Sequence, residues 1–389
     1  MVILDRCLVF GNSGCGRSHI WPRPQAFRCW TLVYLEVGVT GDRVLVTGAF
    51  GLVGSAVVDV LAARGYAVAA TDLRTPANLR SAERLPSGVQ VHWADLTSVA
   101  EVTALIESVA PAAIVHLAAL IPPFCYANRA LAQAVNVEAT GHLVAAAAGL
   151  ASAPRFILAS SVAVYGTRNP HRDKGLLTAQ TPVNPSDLYG ANKVAAEKLV
   201  TSSALEWVVL RLGGVLTSAP RWSIDPNLLR FEAVLPSDGR IQTVDVRDVA
   251  QAFCAAVSTS QVREVFLIGG DSSHRTTQSA VASETAAAMG LVGGVPAGRP
   301  GDPGDDRSWF VTDWMDTERS QQVLDFQRHS LPVMHAQTSA AVGWRRAPLR
   351  LVAPIVWAAL KSQSPYRRMG GHFADPWRAI DRCWGDPQY

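Results

Sequence analysis

From residue 43 onward the apolar positions of the chain alternate between two rhythms. Short runs that are apolar throughout, such as RVLVT at 43–47, predict buried strands. Each is followed by a longer stretch in which alanine, valine and leucine recur at helical spacing. Strands are expected at 43–47, 66–71, 89–94, 112–117, 155–159 and 206–210, with a first helix over 55–63 and an alanine-dense one over 143–151. Strands apolar on both faces and separated by helices predict α/β architecture: a Rossmann-type, doubly wound parallel sheet covered on both sides. No repeat or low-complexity tract interrupts the alternation, which excludes a solenoid. The first 41 residues follow neither rhythm. They are expected to be an extension, unstructured or arising from a misassigned start, with folding beginning near Asp42.

Composition narrows the class. In 389 residues, 49% are apolar and 17% charged, so there is ample core and no basis for general disorder. The net charge of +3, from 35 basic and 32 acidic residues, is too even to expect nucleic acid as a partner. The apolar run at 351–360 is about half the length of a spanning helix, which argues against a channel. Cys7, Cys15, Cys29, Cys125, Cys254 and Cys383 form no C-x-x-C pair and no histidine cluster accompanies them. No metal site and no disulfide framework are expected, and the compartment reads as cytoplasmic.

Two glycine-rich stretches suggest phosphate binding, and only one survives scrutiny. GNSGCGRS at 11–18 has P-loop spacing, but Arg17 replaces the lysine, and Pro22 and Pro24 forbid the helix that should hold the phosphate. GAFGLVG at 48–54 directly follows the first strand and opens the first helix. There Gly48 permits a tight turn, Gly51 lets backbone approach a pyrophosphate, and Gly54 allows close helix–strand packing, with Leu52 and Val53 in the same loop. Asp72 stands at the end of the second strand, where a carboxylate accepts from a ribose hydroxyl and repels a 2′-phosphate. NAD is therefore expected over NADP, with Arg74 close enough to soften the preference.

A catalytic constellation follows. Tyr189 and Lys193 are four residues apart on a helix expected to start with Asn184 as N-cap and Pro185 at its first position, so they share a face. An ammonium beside the phenol would lower its pKa and ease proton transfer. Ser161, at the end of the fifth strand, would hold the substrate oxygen. A tyrosine and lysine at this spacing are more often just a solvated pair, but the glycine loop and the strand-end serine reverse that weighting.

In order along 42–330, the segments VTGAFGLVG (46–54), ADLT (94–97), VHLAA (115–119), VNVEAT (135–140), SSVAVYG (160–166), YGANK (189–193), VLRLG (209–213), VDVRDVA (244–250) and DTERSQQVLDF (316–326) resemble the extended short-chain dehydrogenase/reductase family, in its NAD-dependent epimerase/dehydratase branch. The resemblance implies that Asp95 and Leu96 flank the adenine and that Leu117, Ala118 and Ala119 line the nicotinamide half. It implies Ser161 rather than Ser160 as the catalytic serine, Tyr189 as general acid/base, and Lys193 on the nicotinamide ribose. It also implies interleaved domains: a cofactor domain from 42–212 plus 241–269, and a smaller C-terminal substrate domain from 213–240 plus 270–330.

Departures from the family pattern bear on the reaction. Val162 and Ala163 stand where the dehydratases carry an Asp-Glu pair, so dehydration is disfavoured. Gly213 and Gly214 stand near the usual asparagine of nucleotide-sugar enzymes, and LIPPF at 120–124 replaces a lysine with apolar bulk. A small, more apolar substrate is expected, undergoing NAD-linked oxidation or reduction. Nucleotide-sugar epimerisation is the alternative, and a non-catalytic nucleotide sensor the rival class.

Beyond residue 331 the pattern stops. Residues 331–389 carry eight Arg/Lys against three Asp, and Trp344, Trp357, Trp377 and Trp384. An ordinary packing helix interrupted at Pro354, capping the substrate domain or forming a homodimer contact, is favoured there over weak membrane-surface contact through 345–368.

Overall fold

The computed structural model describes residues 42–220, 222 and 225–389. The expectations for residues 1–41, including the P-loop-like stretch, lie outside the described residues. In chain order the strands are β1 (Arg43–Thr47), β2 (Ala67–Asp72), β3 (Gln90–Trp93), β4 (Ala113–His116), β5 (Arg155–Ser161), β6 (Trp207–Leu212), β7 (Gly214–Leu216), β8 (Arg240–Asp245), β9 (Glu264–Ile268) and β10 (Arg275–Thr277).

Seven of them form one parallel sheet in the order β3-β2-β1-β4-β5-β6-β9. β7, β8 and β10 form a small second sheet, with β8 in its centre. The large sheet is buried on both faces, as its apolar strands require. Along β1, Val44 and Val46 join one core with Val57, Leu61 and Phe253, while Leu45 points into the other with Ile106, Leu143 and Phe156. Each such fully buried aliphatic side chain contributes about 1.5–3 kcal/mol. Helix Val246–Ser258 packs on helix Leu52–Ala63 to cover the first of these faces.

The expected strands are all present, with ends displaced by a residue or two, as helix and strand ends commonly are. β7, β8, β9 and β10 fall outside the expected set, although Gly269 and Gly270 directly follow the apolar end of β9. Two larger corrections concern helices. The tyrosine helix runs Leu188–Thr201 with Asp187 as its N-cap, not Asn184. Residues 184–186 instead lie in irregular backbone against the chain near Gly166, with the Asn184 N–H donating to the Val164 carbonyl. Nor does Pro354 interrupt its helix: Arg346–Gln363 continues through it. Pro354 is solvent-exposed, so water can serve the carbonyl that loses its amide partner. Among the described residues no helix is long and apolar enough to cross a membrane.

Candidate functional site

Strands that all run parallel end at the same edge of their sheet. The loops after β1 to β5 therefore meet there, around the β1–β4 junction at which strand order reverses. Gly48 adopts φ +64°, and a Cβ on it would stand 2.8 Å from the Ala118 nitrogen. Gly54 faces the Gly48 carbonyl so closely that a Cβ would meet it at 2.1 Å. Gly51 caps helix Leu52–Ala63 without a side chain, and a Cβ on it would meet only the Gly48 carbonyl, leaving its outer side open. Leu52 is exposed beside it, while Val53 packs partly against the core. The turn thus presents bare helix N-terminal amides, the donor set a pyrophosphate needs.

Asp72, closing β2, accepts from Phe50 N at 3.2 Å and from Leu73 N at 2.8 Å, which ties its carboxylate to the glycine turn. After β3, the Asp95 carboxylate is engaged by Thr97, whose N and Oγ1 donate to it at 2.9 and 2.7 Å, and Leu96 is buried. After β4, Leu117 and Ala118 N–H groups both donate to Thr47 Oγ1. Leu117, Ala118 and Ala119 remain half-buried.

The two serines at the end of β5 have different roles. Ser160 Oγ is buried and donates to Glu197, which is paired with Arg211 at 2.6 Å. Ser161 is half-buried; its Oγ accepts from Ala163 N at 3.2 Å. Strand alternation alone separates them, turning one hydroxyl inward and the other toward the sheet edge. Lys193 is buried and donates to the Ala159 carbonyl at 2.9 Å, with Nζ 5.8 Å from the Tyr189 ring centroid. Burial lowers its pKa to about 8 against the opposing pull of Glu197. Ser161 and Lys193 thus both stand beside Tyr189.

The electrostatics differ from expectation at Tyr189. Burial raises its pKa well above the ordinary phenol value, with the Cys125 thiol and the Asp187 carboxylate adding to the rise. The Ser161 side chain pulls the other way, and the ammonium is not among the dominant influences. Desolvation of the phenolate outweighs an ammonium that is itself committed to a carbonyl.

A match to the family model described as NAD dependent epimerase/dehydratase spans residues 44–269. The chain belongs to that family. Its relatives include a UDP-glucose 4-epimerase from Mycolicibacterium smegmatis, 38% identical over 40% of this chain and 49% of the relative. A 3-diazoavenalumate denitrifying reductase from a Streptomyces species is 31% identical over 56% of this chain and 72% of the relative. Against most of the first-ranked curated relatives, the chain spans about half of their length. The structure of MoeE5 in complex with UDP-glucose and NAD is 28% identical, with a TM-score of 0.60, covering 79% of this chain and 100% of that one.

Several residues of this family member carry the site without having been singled out from sequence. Asn136, buried in a π-helical turn (Ala134–Glu138), accepts from Leu120 N at 2.7 Å and donates to Leu120 O at 3.0 Å. It thereby fixes the loop after Ala119. His116 bridges Thr47 at 2.8 Å and Thr140 at 3.0 Å, and burial, aided by Lys193, lowers its pKa to about 3, so it is neutral. Both lie inside motifs visible in the sequence, but their partners are 16 to 69 residues away. The first turn of the tyrosine helix is fully satisfied: Tyr189 N and Gly190 N donate to the Asp187 carboxylate, and Leu188 N donates to the Pro387 carbonyl at 2.7 Å.

Proposed function

We propose that the chain binds NAD across the glycine turn and Asp72, and moves a hydride between it and one hydroxyl- or carbonyl-bearing carbon of a small substrate. The observation that carries this reading is the meeting of Ser161, Tyr189 and Lys193 at the sheet edge that also bears the glycine turn. When bound, NAD supplies the hydride acceptor or donor. Tyr189 Oη exchanges the proton with the substrate oxygen, Ser161 Oγ holds that oxygen in line with the phenol, and Lys193 orients the ribose. Asp95 and Leu96 would flank the adenine, with Leu117, Ala118 and Ala119 against the nicotinamide half.

The substrate is inferred to be more apolar than a sugar diphosphate. A side chain at Gly213 would meet the Gln242 carbonyl at 2.4 Å, so an asparagine contact cannot be built there. Leu120 and Tyr189 both pack against the apolar cluster that contains Tyr126, Phe231 and Phe310. Residues 213–240 and 270–330 would supply the specificity. Val162 and Ala163 are both buried and apolar, which leaves no acid/base pair for dehydration.

Epimerisation uses the same proton and hydride transfers in both directions, and the UDP-glucose 4-epimerase relative favours it as the second reading. A panel of short alcohols and ketones, sterols and nucleotide sugars, each with both nicotinamide cofactors, decides between them. Net change in nicotinamide absorbance identifies a dehydrogenase, and product without net change identifies an epimerase. Cofactor binding with neither would overturn the catalytic reading in favour of a sensor.

A further inference from the structure

The helix Arg346–Gln363 has an unusual distribution of side chains. One stripe faces the protein: Ala353 is buried and Leu349, Val356 and Leu360 are half-buried, seated over the turn that contains Gly290 and Gly294. On an ordinary surface helix the opposite arc is polar. Here the opposite arc is Ala347, Leu351, Pro354, Ile355 and Ala358, with Leu351 81% and Ile355 69% exposed. Arg346, Arg350, Trp357 and Lys361 run along one flank of that arc. Trp344, 79% exposed, stands just before the helix, and Arg345 lies over both its ring and that of exposed Trp222.

Within this segment the charge has a single sign. From Phe326 to Ala374 the sequence contains no Asp or Glu, while Arg328, Arg345, Arg346, Arg350, Lys361, Arg367 and Arg368 fall inside that span. Among the described residues, the last six of these form no ion pair. Lys361 instead rests over the Trp357 ring at 4.4 Å. A face that sets large exposed apolar side chains and tryptophans beside unpaired cations lacks the polar outer surface of a packing helix.

We propose that this helix is a surface anchor that lies in the interface of an anionic lipid bilayer. Leu351 and Ile355 would enter the acyl boundary, Trp344 and Trp357 would sit at headgroup level, and the flanking cations would meet lipid phosphates. A second copy of the chain is a poor occupant. A two-fold contact sets the same patch against itself, which would place these arginines opposite one another with no acid in the segment to neutralise them. The apolar arc is short, so binding is weak, reversible and dependent on negative lipid.

Flotation of the full chain with vesicles tests this. Protein is expected to float with phosphatidylcholine–phosphatidylglycerol vesicles, not with phosphatidylcholine alone, and to be released by salt. Leu351→Glu/Ile355→Glu should abolish flotation, and Arg346→Gln/Arg350→Gln should weaken it about fivefold per cation removed. Both variants should retain nicotinamide-cofactor binding and the far-ultraviolet circular dichroism of the parent, since neither pair contributes to the core. Absence of binding to anionic vesicles at low salt overturns the proposal. So does concentration-dependent dimerisation that Leu351→Glu/Ile355→Glu abolishes, which would assign the face to a second copy. A pull-down of acidic protein without vesicle binding would overturn it equally.

Discussion

Tyr126 donates its phenol proton to Asp187 Oδ2 across 2.6 Å, and the same carboxylate caps the helix on which Tyr189 occupies the first turn. Asp187 therefore holds the proposed acid/base by its backbone while its charge opposes ionisation of the Tyr189 phenol. Burial raises Asp187 itself to about 6, against the hydrogen bonds it receives. Asp187→Asn keeps a good cap and removes the charge. It should move the acid limb of the pH–rate profile for substrate oxidation, set by ionisation of the Tyr189 base, to lower pH, with little change in cofactor affinity. Tyr126→Phe should destabilise the fold by about 1.5–3 kcal/mol, the worth of a hydrogen bond to a charged group. An unchanged pH profile in Asp187→Asn would remove Asp187 from the positioning role.

Tyr189→Phe keeps the ring and its packing while deleting the proton-exchanging hydroxyl. Turnover on an identified substrate should fall roughly 10²–10⁴-fold with NAD binding near normal. Lys193→Met should impair both turnover and cofactor affinity, and Ser161→Ala should be intermediate. Ser160→Ala should act differently. It leaves the Glu197–Arg211 pair short of one hydrogen bond and should show as lost stability with turnover largely retained. Near-full activity of Tyr189→Phe would return the Tyr189/Lys193 pair to an ordinary helix face.

The cofactor preference rests on Asp72. Its two backbone amide donors, Phe50 and Leu73, hold the carboxylate at the end of β2, where a 2′-phosphate would meet its charge. NAD should bind more tightly than NADP, and Asp72→Ala should narrow the difference in titrations of intrinsic fluorescence. Tighter NADP binding by the unaltered chain would make Arg74 the dominant contact.

His116 gives the fold an acid-sensitive element. Its folded pKa of about 3 lies below the ordinary value of 6.5, so the unfolded chain binds the proton more readily. For a base depressed in this way, stability falls as pH drops below the unfolded value, and it continues to fall until the folded value is reached. Between pH 6.5 and pH 5 this imidazole alone should withdraw about 1.5 kcal/mol. Asp187, raised to about 6, contributes with the opposite sign: its native proton favours folding at low pH, and that contribution is lost as pH rises through about 6. The two are separable by variants. His116→Gln should flatten the acid side of a Tm–pH curve and Asp187→Asn should steepen it.

Much of this was legible in the chain because the information was local. RVLVT followed by GAFGLVG specifies strand, turn and helix within a dozen residues, and the Tyr189–Lys193 spacing survives whichever residue begins the helix. The start of that helix lies elsewhere because Asn184-Pro185, a sound local cap signal, is overridden by the contacts of 184–186 with the chain beside Gly166. The phenol's raised pKa was equally hidden. It depends on Cys125, 64 positions earlier in the sequence, and on burial that no spacing reveals. Composition marked 331–389 as basic and tryptophan-containing, but not which of its helices pack. Trp377 stacks on Phe310 at 5.2 Å and Trp384 meets Phe231 edge-on at 5.9 Å, whereas Trp344 faces solvent.

The end of the chain reaches the proposed site directly. The Pro387 carbonyl accepts the Leu188 N–H at 2.7 Å, Tyr389 Oη donates to Pro185 O at 2.8 Å, and Arg129 holds the Asp386 carbonyl at 2.7 Å. Leu188 N–H is among the first-turn amides of the tyrosine helix, which intrahelical bonds cannot serve, and Asp187 already serves the two that follow it. Deleting residues 386–389 strips that one amide of its partner and frees Arg129, yet leaves Trp377 and Trp384 in their apolar cluster. The truncated protein should fold, lose about 1–3 kcal/mol for an amide left without a protein partner, and bind NAD normally. Its turnover should fall with a larger effect on kcat than on KM, because the loosened first turn carries Tyr189. Pro387→Ala retains the accepting carbonyl and should behave like the parent. If the truncation left kcat unchanged while lowering Tm, these four residues would act on stability alone, and the tyrosine would be held by Asp187 without help.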